Sequence, residues 1–511
     1  MRVSILLSLG LASLACREAT APPPGQPPAA QARVEIDWQR VEAVSQATAS
    51  LQVVPNALYL RDSKIHGPLY RALKELGAEE VRLVHWYPYP RLAVAELEAP
   101  RDGRTFWDFS RIDPLVVDFM DAMQGRSVML NFSTIPHWMF KTDTPVEVPE
   151  DPRQIDWDYT QGTELRDPSL KELADYYARL VSWYTKGGFV DELGVRHDSP
   201  HQYTFDWWEV FNEANAEHSM TSEQYTERYD AIVTALRKVA PRMKFAGPGL
   251  VFPERMLPFF EYFLDPAKHA PGVPLDALTH HFYAIQRAED TESTCPSPMF
   301  EQTDGFVAAT VQIEAIRAKH RPDLPTHINE IGALDGDEFF GQTKPDFQNK
   351  KIPDRWWNAS AAVFAYQYGL LAREGIEVVG QSAFAQYPGQ FPSVSMLDWE
   401  TGRPNARYWT LKMMRERLGP GDSLLLTRSS DPTLYAQAFA SQQRGRRLLI
   451  VNKCHRAIDV VIPSADIVRV EVVDPSTAFG PARDIRPRVG QAFRLDEYGV
   501  AVVTLAPTPA R

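Results

Sequence analysis

Eight short apolar runs, set apart by longer segments of helical spacing, constrain this chain more than any other feature of its sequence. They fall at residues 50–54, 80–85, 127–132, 207–211, 244–247, 277–281, 326–329 and 378–384. Each is too short for a helix, and several are rich in Val, Ile, Leu or aromatic residues, as strands are. Amphipathic helices are expected between them, at 68–76, 113–123, 169–184, 222–240, 306–320 and 359–373. Strands that alternate with helices are parallel, and eight over about 370 residues predict an α/β fold, the (β/α)8 barrel. A doubly wound sheet is the alternative, but no glycine-rich phosphate loop follows the first run.

Past residue 422 the texture changes. Brief alternating stretches, LLIVNK at 448–453, IDVVIP at 458–463, IVRVEVV at 467–473 and VAVVTL at 500–505, are separated by turn residues. They predict a small antiparallel β-sandwich over 422–508 behind a barrel region of 33–421. The stretch 33–38, RVEIDW, also alternates and offers the sandwich a leading strand. The 44% hydrophobic and 23% charged composition suits two such cores and excludes a mainly disordered or membrane-embedded chain. A net charge of -12 without a long basic run excludes a nucleic-acid partner.

Residues 1–16, MRVSILLSLGLASLAC, put one positive charge before an apolar run that ends in a small residue and a cysteine. This pattern predicts an export signal, too short to span a bilayer. Two processing readings stand: a lipoprotein cut that leaves Cys16 lipidated, or ordinary cleavage after Ala19-Thr20-Ala21. The Pro-rich stretch 17–32 is an extended tether. The mature protein is therefore expected in the periplasm, at the cell surface as a lipoprotein, or secreted, with membrane contact only through the lipid. Cys295 and Cys454 then remain, expected as free core thiols, and no CxxC or His/Cys cluster suggests a metal. Oligomeric state is left open.

In barrels of this kind the chemistry gathers at the C-terminal ends of the strands. Asn212-Glu213 ends the fourth run and Asn329-Glu330 ends the seventh, on opposite sides of the mouth. Two opposed carboxylates suit glycoside hydrolysis, one acid delivering a proton to the leaving oxygen and one anion facing the anomeric carbon. A separation of about 5–5.5 Å makes the anion a nucleophile and retains configuration; about 6.5–9.5 Å leaves room for water and inverts it.

These residues resemble glycoside hydrolase family 39 of clan A, the family of β-xylosidases and α-L-iduronidases. The likeness spans about residues 33–507 and includes Trp208-Glu209 before Asn212-Glu213, His327 before Glu330, Phe106-Trp107-Asp108-Phe109, Ile135-Pro136 and Ala246-Gly247-Pro248. It implies Glu213 as acid/base, Glu330 as nucleophile, a retaining double displacement and no metal or organic cofactor. The chain departs from the family at Ala214, where proline is usual, and at Asn329, where threonine is. Strand two, Arg82-Leu83-Val84-His85, is a residue longer than the family's, and strand eight ends Gln381-Ser382-Ala383-Phe384 without the usual tryptophan.

Supporting roles follow from position. Asn212 is a donor for a sugar 2-hydroxyl. His281 and Tyr283 match the family's His-x-Tyr, with the Tyr283 hydroxyl poised to hold the nucleophile, while His280 faces the core. Arg82, inside a strand, needs a buried carboxylate, and Glu330 and Glu209 serve equally. His85, Trp86 and Trp138 are expected at the mouth as a sugar platform, with packing under a loop an equal reading for Trp138. Asp206 and Glu209 are expected to be supporting acids. The function expected is an exo-acting, β-xylosidase-like glycosidase with a carbohydrate substrate. The alternatives are a clan-A endo-glycanase, a metal-dependent barrel hydrolase without the expected His-x-His, and an inactive sugar-binding surface lipoprotein.

Overall fold

The computed structural model describes residues 30–506 apart from 158–161, 163, 288–293, 342–350, 464–465 and 489. The export signal, Cys16 and most of the tether lie outside the described residues. Eight parallel strands close into a barrel: Thr48–Val53, Val81–His85, Val128–Phe132, Trp207–Glu209, Lys244–Leu250, Ala277–Gln286, Thr326–Asp335 and Val378–Gln381. They coincide with the eight apolar runs, and closure replaces the doubly wound alternative. Val81–His85 and Val128–Phe132 are buried at every position. In a closed barrel the inward side chains fill the interior and the outward ones meet helices, which is why these strands read as unbroken apolar runs.

The helix Asp354–Arg373 is buried on almost every side because it lies between the barrel and the second domain. A Cβ at Gly369 would run into the Tyr435 ring, so the smallest residue lets the two domains approach. The second domain is a nine-stranded sheet in the order Arg483–Ile485, Ile467–Val473, Val500–Leu505, Gly445–Asn452, Leu434–Ser441, Ser423–Ser429, Ala30–Val44, Ile458–Val461 and Phe493–Leu495. All neighbours are antiparallel except Ala30–Val44 with Ile458–Val461. The leading strand therefore runs well beyond 33–38, and Ala32 and Val34 enter the core between the layers with Leu425, Phe493 and Val503.

The run Leu448-Leu449-Ile450-Val451 shows how this domain is held. Leu448 and Ile450 face the inner core, while Leu449 and Val451 join the core shared with the barrel. Both faces are covered, so alternation gives way to a continuous apolar run. A disulfide also ties the domains: Cys295, ahead of the helix Pro298–His320, is bonded to Cys454 in the sandwich, with Cα atoms 5.1 Å apart. This corrects the expectation of free thiols. A sequence separation of 159 residues hides a pairing that only the docked domains create. Among the described residues, no helix is long and apolar enough to cross a membrane.

Candidate active site

Strand alternation decides which residues face the barrel interior. On strand two, Arg82 and Val84 point inward, and Trp86 continues that face to the mouth, where Val84 and Trp86 line a pocket of about 260 Å³. His85 has the opposite parity. It stacks on Phe132 with ring centroids 4.1 Å apart and bonds through Nδ1 to the Leu92 carbonyl. Burial lowers its pKa to about 4. His85 is thus behind the wall rather than on the sugar platform, as the period of two requires.

Arg82 is the hub of the interior. Its Nε donates to Glu209 Oε2 at 2.6 Å, Nη1 to Gln52 Oε1 at 2.7 Å and to Glu330 Oε2 at 2.9 Å, and Nη2 to Asn212 Oδ1 at 2.6 Å. The two partners left open by the sequence are both present. Glu209 also accepts from Asn131 and Asn329 at 2.7 and 2.9 Å. Burial would raise its carboxyl, but Arg82, His281 and the Asn329 amide outweigh it and hold the group below the usual range.

Two local distortions bring the other carboxylates into place. On strand seven the register slips between His327 and Glu330 against strand six and between Ile328 and Ile331 against strand eight. One residue is extra, so Asn329 and Glu330 both face inward although consecutive strand residues normally alternate. After strand four, Phe211 and Glu213 adopt left-handed backbone with φ of 61° and 41°. These non-glycine positions are costly and turn the chain sharply into the short helix Ala214–Glu217, with Asn212 and Glu213 left on the pocket wall.

The result is a compact constellation. Single ligand-capable atoms of Glu213, His281 and Glu330 lie within 4.8 Å of one another. His281 Nδ1 is 3.0 Å from Glu213 Oε1, and the Tyr283 hydroxyl donates to Glu330 Oε1 at 2.7 Å. Glu330 is therefore held through both oxygens, by Tyr283 and by Arg82. Burial raises the Glu213 carboxyl to about 7, Arg82 opposing and Glu209 adding to the shift. Burial lowers His281 to about 4, so its ring is neutral near pH 7. The same three side chains are close enough to ligate a cation, but the Arg82 guanidinium already supplies positive charge at Glu330.

Trp86, Tyr87, Trp157 and Phe391 form an aromatic wall beside these acids. Trp138 is elsewhere: its Nε1 donates to the Glu96 carbonyl at 2.8 Å, the Arg166 guanidinium lies 4.4 Å over its ring, and it borders a separate cavity. Packing under a loop, not a place on the platform, is its role here. His280 is buried edge-on to Phe260 and Phe306. The sequence reading missed Gln52, Trp157, Ser382 and Glu217. Only Glu217 left a signal, its spacing of four residues from Glu213 at the start of a helix.

Residues 174–337 match the family model described as Glycosyl hydrolases family 39. Comparison with curated proteins finds no match. Among solved structures, the chain is similar to a GH51 arabinofuranosidase from Xanthomonas axonopodis pv. citri, with a TM-score of 0.61 and 12% identity over 93% of this chain and 100% of the other. It is similar to a glucosidase from Croceicoccus marinus, with a TM-score of 0.57 and 16% identity over 94% and 100%. A GH30 endoxylanase from Clostridium papyrosolvens C71 gives 0.55 and 12% over 93% and 99%. At such identities the structures speak for a common barrel-and-sandwich fold. The family match falls on the segment 174–337 that carries Glu213, His281, Tyr283 and Glu330 and indicates a glycosidase, on the fold that these solved structures share.

Proposed function

We propose that the protein is a retaining, exo-acting glycosidase of β-xylosidase-like type that works by double displacement. The observation that carries this reading is the approach of one Glu213 oxygen to one Glu330 oxygen within 4.8 Å, the close spacing of a nucleophile and its acid/base partner. Glu330 attacks the anomeric carbon while Glu213 protonates the departing oxygen, leaving a glycosyl ester on Glu330. Water, losing its proton to Glu213, then cleaves that ester. A group raised to about 7 suits both directions of proton transfer near neutral pH. A pocket of about 260 Å³ is below the usual size of drug-sized ligand sites, which favours a terminal sugar over a long glycan.

The test is azide rescue on aryl glycosides. Glu330→Ala should lose several orders of magnitude in rate and yield an azide of inverted configuration; Glu213→Ala should yield the retained anomer. Identical products from both would refute the division of roles. Arabinofuranosides belong in the panel with xylosides, glucosides, galactosides and uronides, since arabinofuranosidases are among the structural relatives. The N-terminal segment is read as an export signal with Cys16 as its lipid attachment point. The Cys295–Cys454 disulfide supports an oxidising compartment.

A further inference from the structure

A third glutamate lines the pocket and has no part in the two-carboxylate mechanism. Glu217 lies four residues past Glu213, on the short helix that the left-handed turn starts. Its Oε1 accepts from Asn212 Nδ2 at 2.7 Å and from Trp86 Nε1 at 2.5 Å. Its Oε2 is buried and has no hydrogen-bond partner. An unpaired buried carboxyl oxygen costs free energy that a ligand is able to return.

Asn212 gives the arrangement direction. Its Oδ1 is taken by Arg82 and one Nδ2 hydrogen by Glu217, so the amide cannot flip without losing both bonds. The second Nδ2 hydrogen remains for the pocket. Arg82, Asn212 and Glu217 thus form one chain of bonds from the barrel floor to the wall. Burial and the nearby Glu213 favour the protonated form of Glu217. Oε1 already holds two donors, which leaves Oε2 to carry that proton and present it to an acceptor.

We propose that Glu217 is a specificity-determining residue whose free Oε2 takes a hydroxyl of an uncharged glycone seated between Glu213 and Glu330. The described lining residues include three glutamates and no Lys or Arg, so a sugar carboxylate would find no cation on the wall. The inference rests on the glycosidase reading of this pocket and deepens it.

The test is a cycle between residue and substrate. The probes are the 4-nitrophenyl pyranoside or furanoside that the wild-type full chain turns over, and its singly deoxygenated forms. In the wild type, one deoxy form should lose about 10- to 100-fold in kcat/KM. In Glu217→Leu that form and its parent should be turned over with about equal kcat/KM, the selective loss having vanished, while the other deoxy forms keep their wild-type ratios. Glu217→Gln, which retains an acceptor for Trp86 and Asn212 and a donor in place of Oε2, should restore the selective loss. A merely structural role would lower every substrate by the same factor, and that outcome, or full additivity in the cycle, overturns the proposal. Glu213→Gln separates the two levels. If it abolishes turnover while the cycle is flat, only the role of Glu217 fails. Turnover of a uronide but of no neutral probe overturns the uncharged glycone; absence of turnover on the whole panel, or an unaffected Glu213→Gln, overturns the glycosidase reading beneath it.

Discussion

Replacing Arg82 with Met removes a buried cation while keeping much of its volume. The guanidinium is 1% exposed and bonds to two carboxylates, Glu209 and Glu330, of which Glu209 is fully buried. Removing one partner of a buried ion pair costs about 3–5 kcal/mol, because a charge remains in low dielectric without compensation. The unfolding entropy of about 2.1 cal/mol/K per residue gives about 0.8 kcal/mol/K for a barrel of about 370 residues, so Tm should fall by about 4–6 °C. Scanning calorimetry at pH 7 checks this. The pH dependence supplies a second measurement with a definite sign. Glu209 is held below its ordinary value of 4.5, so its contribution to stability is present above pH 4.5 and is lost as the pH falls through the folded value. The gap between wild type and Arg82→Met should therefore narrow in acid. In a Glu209→Gln background the same substitution should cost at least about 1 kcal/mol less, the coupling expected of contacting groups. A Tm change below 1 °C, or a gap that widens in acid, would refute the view that Arg82 balances these carboxylates.

Four further outcomes are expected. The kcat/KM of the wild type should fall as the pH rises through about 7, where Glu213 loses its proton, and azide-rescued Glu213→Ala should lose that alkaline limb. Reduction of Cys295–Cys454 should destabilise the protein by up to about 5 kcal/mol, the chain-entropy value for a closed loop of this length; the Cys295→Ser, Cys454→Ser double variant should be insensitive to reductant in calorimetry. Trp86→Ala should raise KM about tenfold or more by opening the aromatic wall, whereas Trp138→Ala should lower Tm and leave KM within about twofold. Cys16→Ser should abolish incorporation of labelled palmitate and release the protein from membranes; unchanged fractionation and no labelling of wild type would favour ordinary cleavage.

The barrel was legible because its signal is local. A strand covered on both sides must be apolar throughout, and eight such runs remain visible without knowledge of their partners. The sandwich was read less completely. Its strands Ser423–Ser429, Leu434–Ser441, Arg483–Ile485 and Phe493–Leu495 mix small, polar and apolar residues whose burial depends on neighbouring strands. The parity of strand two already separates Trp86 from His85 once Arg82 is placed inward. Trp138 carried no such marker, because its environment is set by Glu96 and Arg166, distant in sequence.

Residue order alone determined the alternation of strands and helices, and the placement of Glu213 and Glu330 at two strand ends, because both depend on side-chain periodicity over a few residues. Tertiary structure decided the rest of the site. A register slip turned Asn329 and Glu330 to one face, two left-handed residues aimed Glu213, and closure of the barrel brought Arg82 against carboxylates from strands four and seven. Glu217 and the Cys295–Cys454 bond belong to the same class. Their meaning depends on distances between segments far apart in the chain, and closing the barrel and docking the sandwich set those distances.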